Sequence, residues 1–117
     1  MTPFGTLFRY LREERGLSQQ EMGRRLQLDS KVISALETGR RCPPDTELIK
    51  KIVAQLNLTE AESTQLLDDA KHSSYIVRIP REISPHEMRL VHRLITTLGN
   101  LRPEQISAIQ RAIEEGA

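Results

Sequence analysis

Residues 17–39, LSQQEMGRRLQLDSKVISALETG, leave this chain few ways to fold. Ser18 stands three residues before Glu21. A serine and a glutamate so placed can satisfy each other's free backbone N–H groups at the start of a helix, the capping box. Met22 and Leu26 then share one face of that helix, because they lie four residues apart. Asp29 or Ser30 begins a second helix, with Ile33 and Leu36 turned inward and Gly39 ending it. Only Leu26-Gln27-Leu28 and its immediate neighbours remain for the turn. Two helices joined so closely must cross steeply.

The material around this pair is helical too. The chain has 117 residues, 38% of them apolar, 28% charged and only 3% aromatic, with no Trp. A core must therefore come from Leu, Ile, Val and Met, and the length suits one domain, or one small domain with an appendage. Phe4, Leu7, Phe8 and Leu11 form an apolar stripe, and Arg9, Arg12, Glu13, Glu14 and Arg15 fill the other side before Gly16. After the stiff connector Cys42-Pro43-Pro44, Asp45 or Thr46 opens a fourth helix with Leu48, Ile49, Ile52, Val53 and Leu56 on its apolar face. Thr59 and Glu62 form a second capping box, and a fifth helix runs to about Lys71 with Leu66 and Leu67 inside.

The residues Leu17-Ser18-Gln19-Gln20-Glu21-Met22, Val32-Ile33-Ser34, Leu36-Glu37-Thr38-Gly39-Arg40-Arg41 and Pro43 resemble the Xre/Cro/lambda-repressor-like helix-turn-helix family of phage and bacterial regulators. The likeness covers roughly residues 4–71. It implies an all-α, five-helix DNA-binding domain over residues 1–72. Two positions depart from the family pattern. Gly23 stands where Ala is usual, which still allows close packing but costs about 1 kcal/mol of helix propensity. Gln27 replaces the usual turn Gly, so a turn that avoids left-handed backbone is expected.

By the same resemblance, Ser30, Lys31, Ser34 and Ala35 face base edges in the major groove. Lys31 can donate to guanine O6 or N7, Ser34 can donate or accept, and Ala35 can touch a thymine methyl; each good contact discriminates by about 1–3 kcal/mol. Val32 can pack inward or meet a methyl group. Gln19, at the start of its helix, is expected on a phosphate. Arg40 and Arg41 are expected there as well, and Arg24 is grouped with them, although one of Arg24 and Arg25 can equally be a solvated charge. Arg12 matches a family position that pairs with the acidic residue at Glu37, against the alternative of a loose surface pair worth about 1 kcal/mol or less.

Charge agrees with this surface. Residues 1–41 hold eight Arg/Lys against five Asp/Glu, or +3, whereas residues 42–72 hold three against six, or −3. The whole chain is only +1. The positive segment contains the steeply crossed helices, as a DNA surface requires.

Beyond His72, the segment Ser74–Pro80 is β-branched and closed by proline, so residues 73–83 read either as an extended linker or as a short strand pairing with its own copy. Ser84-Pro85-His86-Glu87 is a strong helix start. Met88, Val91, Leu94, Ile95 and Leu98 follow at helical spacing, Gly99-Asn100 ends that helix, and Pro103 starts another with Ile106, Ile109, Ala112 and Ile113 on one face. A helical hairpin over residues 84–117 is too small to bury a stable core alone. Its apolar residues, with Tyr75 and Val77, are the candidates for dimerisation. Two copies would also meet two half-sites about 34 Å apart.

The resulting expectation is a homodimeric transcriptional regulator that binds an inverted repeat in double-stranded DNA, most simply as a repressor. Activation through contact with RNA polymerase stays open. The alternative is an antitoxin whose C-terminal segment masks a cognate toxin. His72, His86 and His92 lie on no shared face with other ligands, so no metal, no cofactor and no catalytic residues are expected. No apolar run approaches the ~18 residues of a membrane span. The charged start and the single Cys42 point to a cytoplasmic protein.

Overall fold

The structure is a computed structural model that describes residues 1–43 and 45–116. Pro44 of the expected connector and Ala117 at the end of the expected hairpin lie outside the described residues. The described residues form seven helices and no strand: α1 (Pro3–Glu14), α2 (Gln19–Leu26), α3 (Ser30–Thr38), α4 (Thr46–Leu56), α5 (Glu60–Lys71), α6 (Pro85–Thr97) and α7 (Pro103–Glu115). The chain divides into two compact units, Met1–Val77 and Arg78–Ala117.

In the first unit, local signals set the helix starts. Thr2 caps α1 through its hydroxyl, which accepts from Gly5 N at 3.0 Å, and Pro3 occupies the first turn. Ser18–Glu21 and Thr59–Glu62 form both expected capping boxes. Asp29 caps α3 by accepting from Lys31 N at 2.8 Å, and Asp45 caps α4 by accepting from Leu48 N at 3.0 Å. Each such cap is worth about 1 kcal/mol.

The five helices enclose one core. Phe4, Phe8 and Leu11 of α1 meet Met22 and Leu26 of α2, Ile33 and Leu36 of α3, Ile49, Ile52 and Leu56 of α4, and Leu66 of α5. The rings of Phe4 and Phe8 stack with centroids 5.4 Å apart. Helix α3 packs on α1 and α2, α1 also packs on α5, and α4 packs on α2 and α5. Val32 is half-buried against this core, which answers where it packs. Leu67 departs from expectation: it is 40% exposed, and only Leu66 is buried in α5. One residue onward is about 100° around a helix, and that turn carries Leu67 off the face that meets the core.

Two glycines let backbones approach where a side chain could not. A Cβ at Gly5 would stand 2.4 Å from the carbonyl oxygen of Leu36, so Gly5 sets how closely α1 lies on α3. A Cβ at Gly23 would stand 2.4 Å from the carbonyl oxygen of Leu28. The helix-propensity loss at Gly23 therefore accompanies the sharp turn out of α2.

That turn corrects one expectation. Gln27 does not avoid the left-handed region; it occupies it, at φ 58° and ψ 43°. The reason is the hydrogen bond from Leu28 N to Gly23 O, 2.8 Å, which closes the helix end in the Schellman manner. This closure needs a left-handed residue whatever its side chain. Asn57 ends α4 the same way at φ 52°, with Leu58 N donating to Val53 O at 3.1 Å. In both turns the following leucine, Leu28 or Leu58, is half-buried against the core. Apolar contact beyond the cap commonly accompanies this geometry.

The second unit begins α6 with the Ser84–Glu87 capping box and Pro85, and α7 with Pro103. Gln105 Oε1 accepts from Arg102 N at 2.9 Å. Neither helix contains a buried residue. Val91 and Leu94 are half-buried, and Met88, Ile95, Leu98, Ile106, Ile109 and Ile113 are exposed.

Candidate nucleic-acid interface

Helix α3 has two unlike sides. Ile33, Leu36 and Glu37 are buried. On the other side Lys31 is exposed, and Ser30, Ser34 and Ala35 are half-buried. Lys31, Ser34, Ala35 and Arg40 line one shallow open depression. Thr38 Oγ1 donates to Ser34 O at 2.9 Å and accepts from Arg40 Nε at 3.3 Å, which holds the arginine beside the helix. Beyond Gly39, at φ +80°, the chain doubles back, and Arg41 N donates to Ala35 O at 3.1 Å. Arg40 and Arg41 are both exposed. Arg24 is exposed on the rim of a neighbouring hollow that includes Gln20, Asp29 and Ser30.

The buried side of α3 is fixed by a charged cluster. Arg12 Nε donates to Glu37 Oε2 at 2.7 Å, Arg12 Nη2 to Glu37 Oε1 at 3.1 Å, and Arg12 Nη1 to Leu17 O at 2.7 Å. Gln19 Nε2 also donates to Glu37 Oε1, at 3.2 Å. The hydrogen bond to Glu37 raises the pKa of Arg12 above its already high ordinary value. A bidentate arginine–carboxylate pair fixes orientation as well as charge. Here it ties α1 to the last turn of α3, and Gln19 ties the first turn of α2 to the same carboxylate. Gln19 is thus half-buried and fastened from within the unit. Among the described residues no buried side-chain polar atom lacks a partner.

Three positioning residues are not apparent from the sequence. Arg15, expected among the outer charges, donates from Nε to Leu56 O at 2.9 Å and from Nη2 to Glu62 Oε1 at 3.2 Å, so it joins α1 to the end of α4 and the start of α5. Ser73, expected in the linker, is buried; its Oγ accepts from Phe4 N at 2.9 Å and donates to Asp69 O. Tyr75, a dimerisation candidate, donates its hydroxyl to Gly39 O at 2.9 Å. Cys42 Sγ meets Ser73 O at 3.2 Å on the way. Val77 is exposed. Only the apolar or polar type of these residues is visible in sequence; apart from the local bond of Ser73 to Asp69 O, the partners named here lie 31 to 69 positions away.

A family model described as a helix-turn-helix domain matches residues 3–66, more than half of the chain. The chain belongs to this family, of the Xre/Cro-like kind, and its first unit carries a helix-turn-helix DNA-binding domain. Neither a curated protein nor a solved structure matches it. Families of this kind are typically non-enzymatic. Among the described residues no three His, Cys, Asp or Glu side chains gather as metal ligands, and no helix is long and apolar enough to cross a membrane.

Proposed function

We propose that this protein is a cytoplasmic, homodimeric transcriptional regulator that represses by occupying an inverted-repeat operator. Residues 1–72 read DNA, residues 73–83 connect, and residues 84–117 pair the subunits. One observation carries the reading: Lys31, Ser34, Ala35 and Arg40 surround an open depression while the opposite side of α3 is locked into the core. Ser30, Lys31, Ser34 and Ala35 are the base-reading set, and Arg24, Arg40 and Arg41 neutralise phosphates. Gln19 serves the phosphates less directly, because its amide already donates to Glu37.

The operator is found by selecting bound fragments from random DNA at stated salt. The double variant Lys31→Ala, Ser34→Ala then loses that operator while remaining folded and dimeric. Unchanged affinity would refute the assignment of α3.

The exposed apolar residues of α6 and α7 favour a second reading, an antitoxin that masks a toxin with its C-terminal helices. The mass of the purified protein in solution and the neighbouring reading frame separate the two. A stable homodimer without a toxin-like neighbour favours the regulator. Activation would require an exposed face that touches RNA polymerase.

A further inference from the structure

We propose that Tyr75 is a positioning residue for DNA binding: together with Ser73 it braces the connector Gly39–Cys42, which carries Arg40 and Arg41. This rests on the reading of those two arginines as phosphate contacts. Both are exposed, and among the described residues neither pairs with a carboxylate. The backbone that carries them lies outside regular structure, since α3 ends at Thr38 and α4 begins at Thr46. Its own links to α3 are few: Arg41 N donates to Ala35 O at 3.1 Å, and Arg40 Nε donates to Thr38 Oγ1 at 3.3 Å.

The remaining support comes from beyond residues 3–66, the span that the family model matches. Ser73 is buried, and its hydroxyl joins Phe4 N to Asp69 O, so it is fixed to the start of α1 and the end of α5. Its carbonyl accepts from Cys42 Sγ at 3.2 Å. Two residues on, the Tyr75 hydroxyl donates to Gly39 O at 2.9 Å. The connector is thus held at its first and fourth residues, with the two arginines between. The Tyr75 side chain does not serve the core, because the residue is 66% exposed. What it adds is the bond to Gly39. A connector without that bond spends part of its time in other arrangements, and DNA affinity falls by the fraction lost from the binding set.

The test is a double-mutant cycle on full-length protein, read as affinity for the operator selected from random DNA at several salt concentrations. Circular dichroism at the same temperature gives the folded fraction to which each affinity is referred. Tyr75→Phe removes only the hydroxyl. It is expected to weaken binding about two- to tenfold, the range that one hydrogen bond supports. Arg40→Gln with Arg41→Gln lowers the salt slope by about 1.8. In that background Tyr75→Phe is expected to cost less than about twofold, because the groups it positions are gone. A general loss of structure would instead weaken both backgrounds equally. Tyr75→Phe that binds like the unaltered protein, or that loses the same factor in both backgrounds, would overturn the proposal while leaving the role of the arginines intact. An arginine pair whose removal changes neither affinity nor salt slope would remove the phosphate reading, and the proposal with it.

Discussion

Arg12 and Glu37, 25 positions apart, share two hydrogen bonds of 2.7 and 3.1 Å with almost no access to water. Their joint desolvation is tolerable only while both are present. Removing one member of a buried pair leaves an uncompensated charge and costs about 3–5 kcal/mol. Arg12→Ala is therefore expected to lose that much in urea unfolding. Replacing both, as Arg12→Met with Glu37→Leu, loses much less. A loss in Arg12→Ala below about 1 kcal/mol, the range of exposed pairs, would show that the contact contributes little.

Gly5→Ala tests the approach of α1 to α3. The added Cβ would stand 2.4 Å from Leu36 O and 2.7 Å from Glu37 O, both backbone atoms. Overpacking of this kind typically costs about 1–3 kcal/mol. Thermal melting should fall accordingly. DNA affinity should fall with it, because the strain is delivered to the backbone of α3.

Gln27→Gly is expected to act in the opposite direction. A left-handed L-residue costs about 1–2 kcal/mol, and glycine removes that cost while adding about 0.5–1 kcal/mol of chain entropy to the unfolded state. A net gain of about 0.5 kcal/mol follows from that balance. The substitution also removes the hydrogen bond from Lys51 Nζ to Gln27 Oε1, but that bond is exposed to water. Chemical denaturation of the two proteins side by side is the measurement.

Acid sensitivity should trace to the capping glutamates. Glu21, Glu62 and Glu87 are held below the ordinary value of 4.5, chiefly by the backbone N–H groups of Ser18, Thr59 and Ser84. A carboxyl depressed in the folded state stabilises fully above its unfolded pKa, and this stabilisation is lost as pH falls through the folded value. Stability should therefore decline as pH drops below about 4.5. Glu21→Gln and Glu62→Gln should flatten that decline and leave the neutral region less stable. An acid limb unaltered in both variants would place its origin elsewhere.

Salt dependence distinguishes phosphate contacts from base contacts. Arg40→Gln should reduce the slope of log affinity against log salt by about 0.9, and Arg41→Gln by a similar amount. Both should weaken binding alike across sequences, whereas Lys31→Ala should relax preference at particular base pairs. Equilibrium binding at several salt concentrations separates these outcomes.

The features legible in the sequence are those written in short intervals. Ser18 with Glu21, Thr59 with Glu62 and Ser84 with Glu87 announce their helices because both partners lie within one turn. The apolar rows of α1 and α4 are equally local, and Lys31, Ser34 and Ala35 share a side of α3 by spacing alone. The turn at Gln27 is not legible, because backbone closure rather than side-chain preference fixes its conformation. Gly5, Arg15, Ser73 and Tyr75 act on atoms far along the chain, and no local pattern marks such partners. Leu67 shows the converse: an apolar residue beside a core position need not be in the core.

The bond from Tyr75 to Gly39 has a geometric meaning. Gly39 terminates α3, and Ile76 and Val77 beyond Tyr75 are almost wholly in water. Among the described residues of Met1–Val77, the last side-chain hydrogen bond from the trailing polypeptide to a helix end is therefore at the tip of α3 and not at the end of α5. Followed back from Val77, the polypeptide thus meets the rod that carries Lys31 and Ser34 before it meets α5.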